Sequence, residues 1–124
     1  MTRLLVVDDE KEICEFLKAF FEERDFEVNT AISGEEALRE VEKFKPHVVL
    51  LDIHMPGMDG MKALKQIKLS HPKMRVIMVT ALETREKIEE AMRSGADNYI
   101  TKPLSLEYLE KDVREKIAHL MEKD

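Results

Sequence analysis

The stretch Val48-Val49-Leu50-Leu51-Asp52 is an apolar run with no polar residue at alternate positions, closed by a carboxylate. A strand that buries one face alternates apolar and polar residues. A run without alternation belongs to a strand covered on both faces, as in a parallel sheet. Taken as residues 47–51, this run has two counterparts: residues 4–7, followed by Asp8-Asp9, and residues 75–79, followed by Thr80. Two shorter runs, residues 26–31 and 98–100, complete a set of five.

Helical spacing fills the gaps between them. Residues 11–24 place Ile13, Leu17, Phe20 and Phe21 on one side and Glu12, Glu15, Lys18 and Glu22 on the other. Ser33-Gly34-Glu35-Glu36 has the form of a capping box and starts a second helix. A third opens at Asp59-Gly60 and runs toward Ser70, with Asp59 read as its N-cap. A fourth covers residues 84–94, and Gly95 stands where a left-handed C-cap belongs. A fifth opens at Ser105 and carries Leu106, Leu109, Val113, Ile117 and Leu120 as one stripe. Strand and helix thus alternate five times. This predicts an α/β, doubly wound (βα)5 fold with right-handed crossovers and helices on both faces of a five-stranded parallel sheet.

The 124 residues fit a single domain spanning 1–124, and 44 % apolar content suffices for a core. No apolar run reaches membrane-spanning length, so no membrane association is expected. The opening Leu4-Leu5-Val6-Val7 is too short for a signal peptide. Acids outnumber bases 26 to 20, for a net charge of −6, which argues against direct nucleic acid binding through clustered Lys and Arg. Cys14 is the only cysteine and cannot form an internal disulfide, in keeping with a reducing, cytoplasmic location. On the apolar side of the first helix it reads as small core filler.

In an open parallel sheet, ligands bind beyond the carboxyl ends of the strands. The residues that close the runs are therefore the candidates: Asp8-Asp9-Glu10, Asp52, Thr80 and Thr101-Lys102-Pro103. Clustered carboxylates repel one another unless a cation sits between them. Oxygen donors suit a hard divalent ion, and Mg²⁺ typically takes one or two carboxylates plus phosphate oxygens. Lys102 and Thr80 add a positive charge and a hydroxyl donor for a phosphoryl group, whose transfer needs mainly positioning and charge neutralisation. A carboxylate can act as nucleophile and form an acyl phosphate. Alone, Asp52 would be a turn former and Thr80 an ordinary strand residue; together they read as a site for aspartyl phosphorylation. The His54 imidazole has no second soft ligand nearby in sequence, so only its backbone carbonyl counts as a donor.

The segments Val7-Asp8-Asp9-Glu10, Leu51-Asp52-Ile53-His54-Met55-Pro56-Gly57-Met58-Asp59-Gly60, Val79-Thr80-Ala81 and Gly95-Ala96-Asp97-Asn98-Tyr99-Ile100-Thr101-Lys102-Pro103 resemble the receiver domains of two-component response regulators, in order and over nearly the whole chain. The resemblance implies a flavodoxin-like fold with strand order 2-1-3-4-5. It implies a phospho-accepting signalling switch that takes a phosphoryl group from a sensor histidine kinase or phosphotransfer protein onto Asp52. Mg²⁺ would be held by Asp8, Asp9, Asp52 and the backbone carbonyl of His54. Lys102 would contact a phosphoryl oxygen, and its bond to Pro103 is expected to be cis. Thr80 and Tyr99 are the implied switch pair, Thr80 following the phosphoryl group inward and Tyr99 moving between exposed and buried positions.

His54 and Leu82 occupy slots expected to tune rates. Leu82, two beyond Thr80, has no polar atom to orient an attacking water, so phosphate loss is expected to be slow. The kinase is expected beside the first helix and the loop after the fifth strand, at Glu15, Phe16, Lys18, Pro103 and Leu104, with Phe16 partly exposed. The output partner stays open, and a phosphorylation-dependent dimer is compatible with the resemblance. Two other classes compete. An aspartate-nucleophile phosphohydrolase usually has a second acid shortly after the nucleophile, where this chain has Ile53 and His54. A pseudo-receiver that only binds partners would lack one of the acids or the lysine, and none is missing.

Overall fold

The computed structural model describes residues 1–81 and 85–122. Five strands, β1 (Thr2–Val7), β2 (Phe26–Ala31), β3 (Val48–Asp52), β4 (Arg75–Thr80) and β5 (Asn98–Thr101), form one sheet in the order β2-β1-β3-β4-β5. Every pairing is parallel. The connecting helices are α1 (Lys11–Glu22), α2 (Gly34–Phe44), α3 (Gly60–Ser70) and α4 (Arg85–Arg93). After β5 come α5 (Leu106–Tyr108), a π-helical turn (Leu109–Val113) and α6 (Arg114–Met121), which follow one another without a break. This is the doubly wound parallel fold that the five alternations predict.

All five residues of β3 are buried, which explains why its sequence does not alternate. Successive side chains point to opposite faces. Leu4, Val6, Val48, Leu50, Ile77, Val79 and Ile100 therefore meet Cys14, Leu17, Phe20 and Phe21 of α1, together with Leu109, Val113, Ile117 and Leu120. Leu5, Val7, Val49, Leu51, Val76 and Met78 meet Ala37 and Val41 of α2, Ala63, Leu64 and Ile67 of α3, and Ala91 of α4.

The stop and start signals hold in atomic detail. The Ser33 hydroxyl accepts the Glu36 amide at 3.1 Å, and the Asp59 carboxylate accepts the Lys62 amide at 2.9 Å. Gly95 has φ +106° and ends α4 through Gly95 N–H to Met92 C=O and Ala96 N–H to Ala91 C=O. Several element ends differ by one or two residues from the sequence reading, and three details stand out. His47 stays outside β3 and is tied to β1 by its amide on the Arg3 carbonyl (2.8 Å) and its Nδ1, which accepts the Arg3 amide (2.9 Å). The last helical stretch contains a π turn. Leu106, in the first turn ahead of the π turn, is 60 % exposed, so the buried stripe begins at Leu109.

One glycine fixes how closely α3 approaches β3. A Cβ on Gly60 would stand 1.9 Å from the Asp52 carbonyl oxygen and 2.6 Å from the Ile53 Cα. The Gly60 amide donates to the Ile53 carbonyl at 2.8 Å, closing the loop that follows β3. Gly60→Ala must push the start of α3 off the end of that strand. We expect it to lower stability by about 3 kcal/mol, the upper range for overpacking a rigid contact, as read by urea denaturation. A variant of wild-type stability would contradict this packing.

Candidate functional site

The register of β1 on β3 pairs Val7 with Leu51, so the next residues, Asp8 just past β1 and Asp52 at the end of β3, stand side by side. Both are nearly inaccessible, at 3 % and 4 % exposure. The Asp8 amide still bonds to the Ala31 carbonyl of β2, while its carboxylate accepts the Glu10 amide at 2.9 Å. The Asp52 carboxylate accepts the His54 amide at 3.3 Å. Asp9 is exposed and stands at the mouth. One carboxylate oxygen from each of Asp8, Asp9 and Asp52 lies within 4.8 Å of the others.

Lys102 arrives from the far edge of the sheet. Its amide donates to the Thr80 carbonyl at 2.7 Å, and the Lys102–Pro103 bond is cis, as expected. Its Nζ stands 3.1 Å from Asp8 Oδ2 and 3.5 Å from Asp52 Oδ2. Thr80, the last residue of β4, is fully buried, and its hydroxyl donates to the Ala81 carbonyl at 3.0 Å. Tyr99 is 36 % exposed, with Lys116 Nζ 5.5 Å from its ring centroid. The His54 side chain is exposed. Leu82 lies outside the described residues.

Sequence reasoning took Cys14 for filler and missed what it touches. Its Sγ lies 3.3 Å from the carbonyl oxygen of Asp8 and 3.8 Å from that of Ala31. Burial, and then the Asp8 charge, push the thiol up to about 11. It therefore remains protonated at neutral pH and donates to the backbone beneath the acids. A helical spacing of six residues from Asp8 carries no signal of this contact.

The electrostatics of the cluster are strained. Burial pushes Asp52 up to about 6; the Lys102 ammonium opposes the rise, and the Asp8 carboxylate adds to it. Burial works against the Lys102 charge, but Asp52 and Asp8 outweigh it and its pKa rises. With all groups ionised, three carboxylates face one ammonium. The donors are all oxygen and one acid is open to solvent. This arrangement fits a hard divalent cation better than a softer metal. Among the described residues, no helix is long and apolar enough to cross a membrane.

The family model for the response regulator receiver domain matches residues 4–114. The chain is 40 % identical over 116 residues to the chemotaxis protein CheY of Listeria monocytogenes, covering 90 % of this chain and 98 % of that protein. It is 40 % identical over 109 residues to the regulatory protein AtoC of Escherichia coli, covering 88 % of this chain but 24 % of that protein. Among solved structures, a CheY-like receiver domain protein from Methanospirillum hungatei superposes with a TM-score of 0.90 at 31 % identity, covering 100 % of this chain and 99 % of the other. The response regulator domain of Thermotoga maritima CheB gives 0.89 at 37 %, covering 100 % and 98 %. The chain belongs to the response regulator receiver domain family, the phospho-accepting switches of two-component systems. It spans about a quarter of the length of AtoC and of the Salmonella regulator ZraR, at 24 % and 27 %.

The raised Asp52 pKa has a consequence for the metal-free protein. Between its ordinary value of 3.8 and about 6, the folded chain holds a proton that the unfolded chain has released. Stability therefore falls as pH rises through that window. Asp52→Asn removes the titration and the repulsion from Asp8. Without divalent ions we expect this variant to be more stable than wild type at pH 7.5 by roughly 1–3 kcal/mol, with the gap shrinking toward pH 4. Urea midpoints at several pH values check this; a variant less stable at pH 7.5 would contradict it.

Proposed function

We propose that Asp52 is the phosphoacceptor and that Asp8, Asp9, Asp52 and the His54 carbonyl hold Mg²⁺ beside it. The observation that carries this reading is the convergence of three carboxylates within 4.8 Å with an ammonium 3.1 and 3.5 Å from two of them. Bound there, the cation would neutralise charge on the acids and on an incoming phosphoryl group. The Asp52 oxygen attacks phosphorus, a P–O bond forms, and the bond to the donor's leaving group breaks. With a kinase phosphohistidine as donor, the imidazole leaves with the electron pair and takes up a proton. Lys102 then exchanges part of its contact with Asp8 and Asp52 for a phosphoryl oxygen. Thr80 acts as the switch hydroxyl by giving up its 3.0 Å bond to the Ala81 carbonyl and turning toward the phosphoryl group. Tyr99 is the second switch residue, and its outward position belongs to the unphosphorylated state.

The partner reading has its own support. Phe16 is 41 % exposed, and Ile13, Phe16, Ala81, Pro103 and Leu104 line an apolar hollow with Lys102. A helix of a histidine kinase or phosphotransfer protein seated there would bring its phosphohistidine to the acids, in the cytoplasm. His54 and Leu82 are proposed to set how long the phosphoryl group lasts. The longer relatives imply an output domain or partner, reached through a dimer or a direct contact.

The test is chemical. Acetyl phosphate with Mg²⁺ should add one phosphate to the wild type, by intact mass, and none to Asp52→Ala. Equal labelling of the two proteins would overturn the assignment.

A further inference from the structure

Among the described residues, β5 is the last strand of the sheet, and none pairs with its outer edge. Its inner edge is satisfied by β4, ending with the Lys102 amide on the Thr80 carbonyl. The intervening residues, Tyr99 and Thr101, present backbone groups outward, and each of three such groups has a side-chain partner. The Tyr99 amide donates to Asn98 Oδ1 at 2.8 Å. The Tyr99 carbonyl accepts Lys116 Nζ at 2.8 Å. The Thr101 amide donates to the Tyr108 hydroxyl at 3.1 Å.

In a parallel ladder, one residue of a neighbouring strand bonds to the carbonyl of residue i−1 and the amide of residue i+1. With i at Ile100, those groups are the Tyr99 carbonyl and the Thr101 amide. Lys116 and Tyr108 thus stand in for one residue of a sixth strand. They do so from the helical stretch whose core face, at Leu109, Val113 and Ile117, packs under β5.

The Tyr108 contact also closes a loop. The chain leaves β5 at Thr101, passes through Lys102 and the cis Pro103, and caps α5 with Ser105, whose hydroxyl accepts the Tyr108 amide at 3.1 Å. Tyr108 then reaches back to Thr101. Lys102 therefore sits in a closed ring, its own amide fixed on the inner side by Thr80 and the amide of the preceding Thr101 fixed on the outer side by Tyr108. Leu104 and Tyr108 both pack against the core below.

We infer that Tyr108 is a positioning residue for Lys102: its phenol oxygen fixes the Thr101 amide, and so fixes where the neighbouring ammonium stands relative to Asp8 and Asp52. Lys116 shares the task from the Tyr99 side. The inference rests on the reading that Lys102 serves the phosphoryl group, but its geometric part stands apart from that reading. Tyr108 reaches the acids only through Lys102, whose ammonium stands 3.1 and 3.5 Å from Asp8 and Asp52, so any change in cation binding on its removal comes by way of Lys102.

The experiment is Tyr108→Phe, which keeps the ring in the core and removes only the acceptor. Four quantities are read: the Lys102 ε-methylene resonance by NMR on lysine-labelled protein, the exchange rate of the Thr101 amide, the affinity for Mg²⁺, and the rate of labelling by acetyl phosphate at saturating Mg²⁺. We expect the Lys102 resonance to move toward that of a solvated lysine, the Thr101 amide to exchange faster, and labelling to slow three- to tenfold at Mg²⁺ concentrations that saturate both proteins. An unchanged Lys102 resonance overturns the inference, whether or not stability falls, since a merely structural tyrosine would lower stability alone. A shifted resonance with an unchanged labelling rate also overturns it. Failure of the wild type to label at all refutes the phosphoacceptor reading instead, and leaves the Lys102 resonance to decide on Tyr108.

Discussion

Two buried carboxylates, Asp8 and Asp52, end neighbouring strands, and one ammonium, Lys102, bridges them at 3.1 and 3.5 Å. The rest of the structure exists around this arrangement. Burial makes each uncompensated charge expensive, and one lysine cannot neutralise two buried acids and Asp9 at the mouth. The folded protein is therefore left with an unmet electrostatic demand at one rim of the sheet. On the proposed function, a divalent cation and a phosphoryl group together would meet it: the cation would supply positive charge and take up the acid oxygens, and the phosphoryl group would give Lys102 and Thr80 a new partner. Binding free energy and switching free energy would then come from the same strained cluster.

The sheet makes that cluster possible. Because all strands run parallel, their carboxyl ends share one rim, and the loops that follow can bring residues 8, 52, 80 and 102 together from across the chain. Because β3 is buried on both faces, its end is rigid, and Asp52 inherits that rigidity. The Gly60 contact then holds the following loop against the strand end, which keeps the His54 amide on the Asp52 carboxylate at 3.3 Å. Cys14 adds a thiol under the Asp8 carbonyl from the first helix. Lys102 is the least anchored member by topology, since it comes from an edge strand. The side chains of Tyr108 and Lys116 close that edge.

What could be read from the sequence follows the same physics. Continuous apolar runs report burial on both faces, so Val48 to Leu51 gave β3 directly, and helical spacing gave α1. Local hydrogen bonding has a short sequence range, so the caps at Ser33 and Asp59 and the left-handed Gly95 were legible. The acids at strand ends were legible because topology alone puts strand ends together. Other features depend on how elements far apart in sequence approach. Asp8 and Asp9 look alike on paper, yet one is buried and the other exposed. The steric demand on Gly60, the thiol contact of Cys14, the exposure of Leu106 ahead of the π turn and the Tyr108 bond to Thr101 all require register and packing. No periodicity encodes them.

The central claim is that the strained acid cluster is completed only by a cation and a phosphoryl group acting together. Beryllofluoride, which mimics the phosphoryl group on a carboxylate, tests it most directly when titrated into labelled protein with and without Mg²⁺ and followed by NMR. The account predicts shifts at Asp52, Thr80, Tyr99 and Lys102 that appear only when both components are present and vanish in Asp52→Ala. Shifts that appear without Mg²⁺, or that persist in Asp52→Ala, would contradict it.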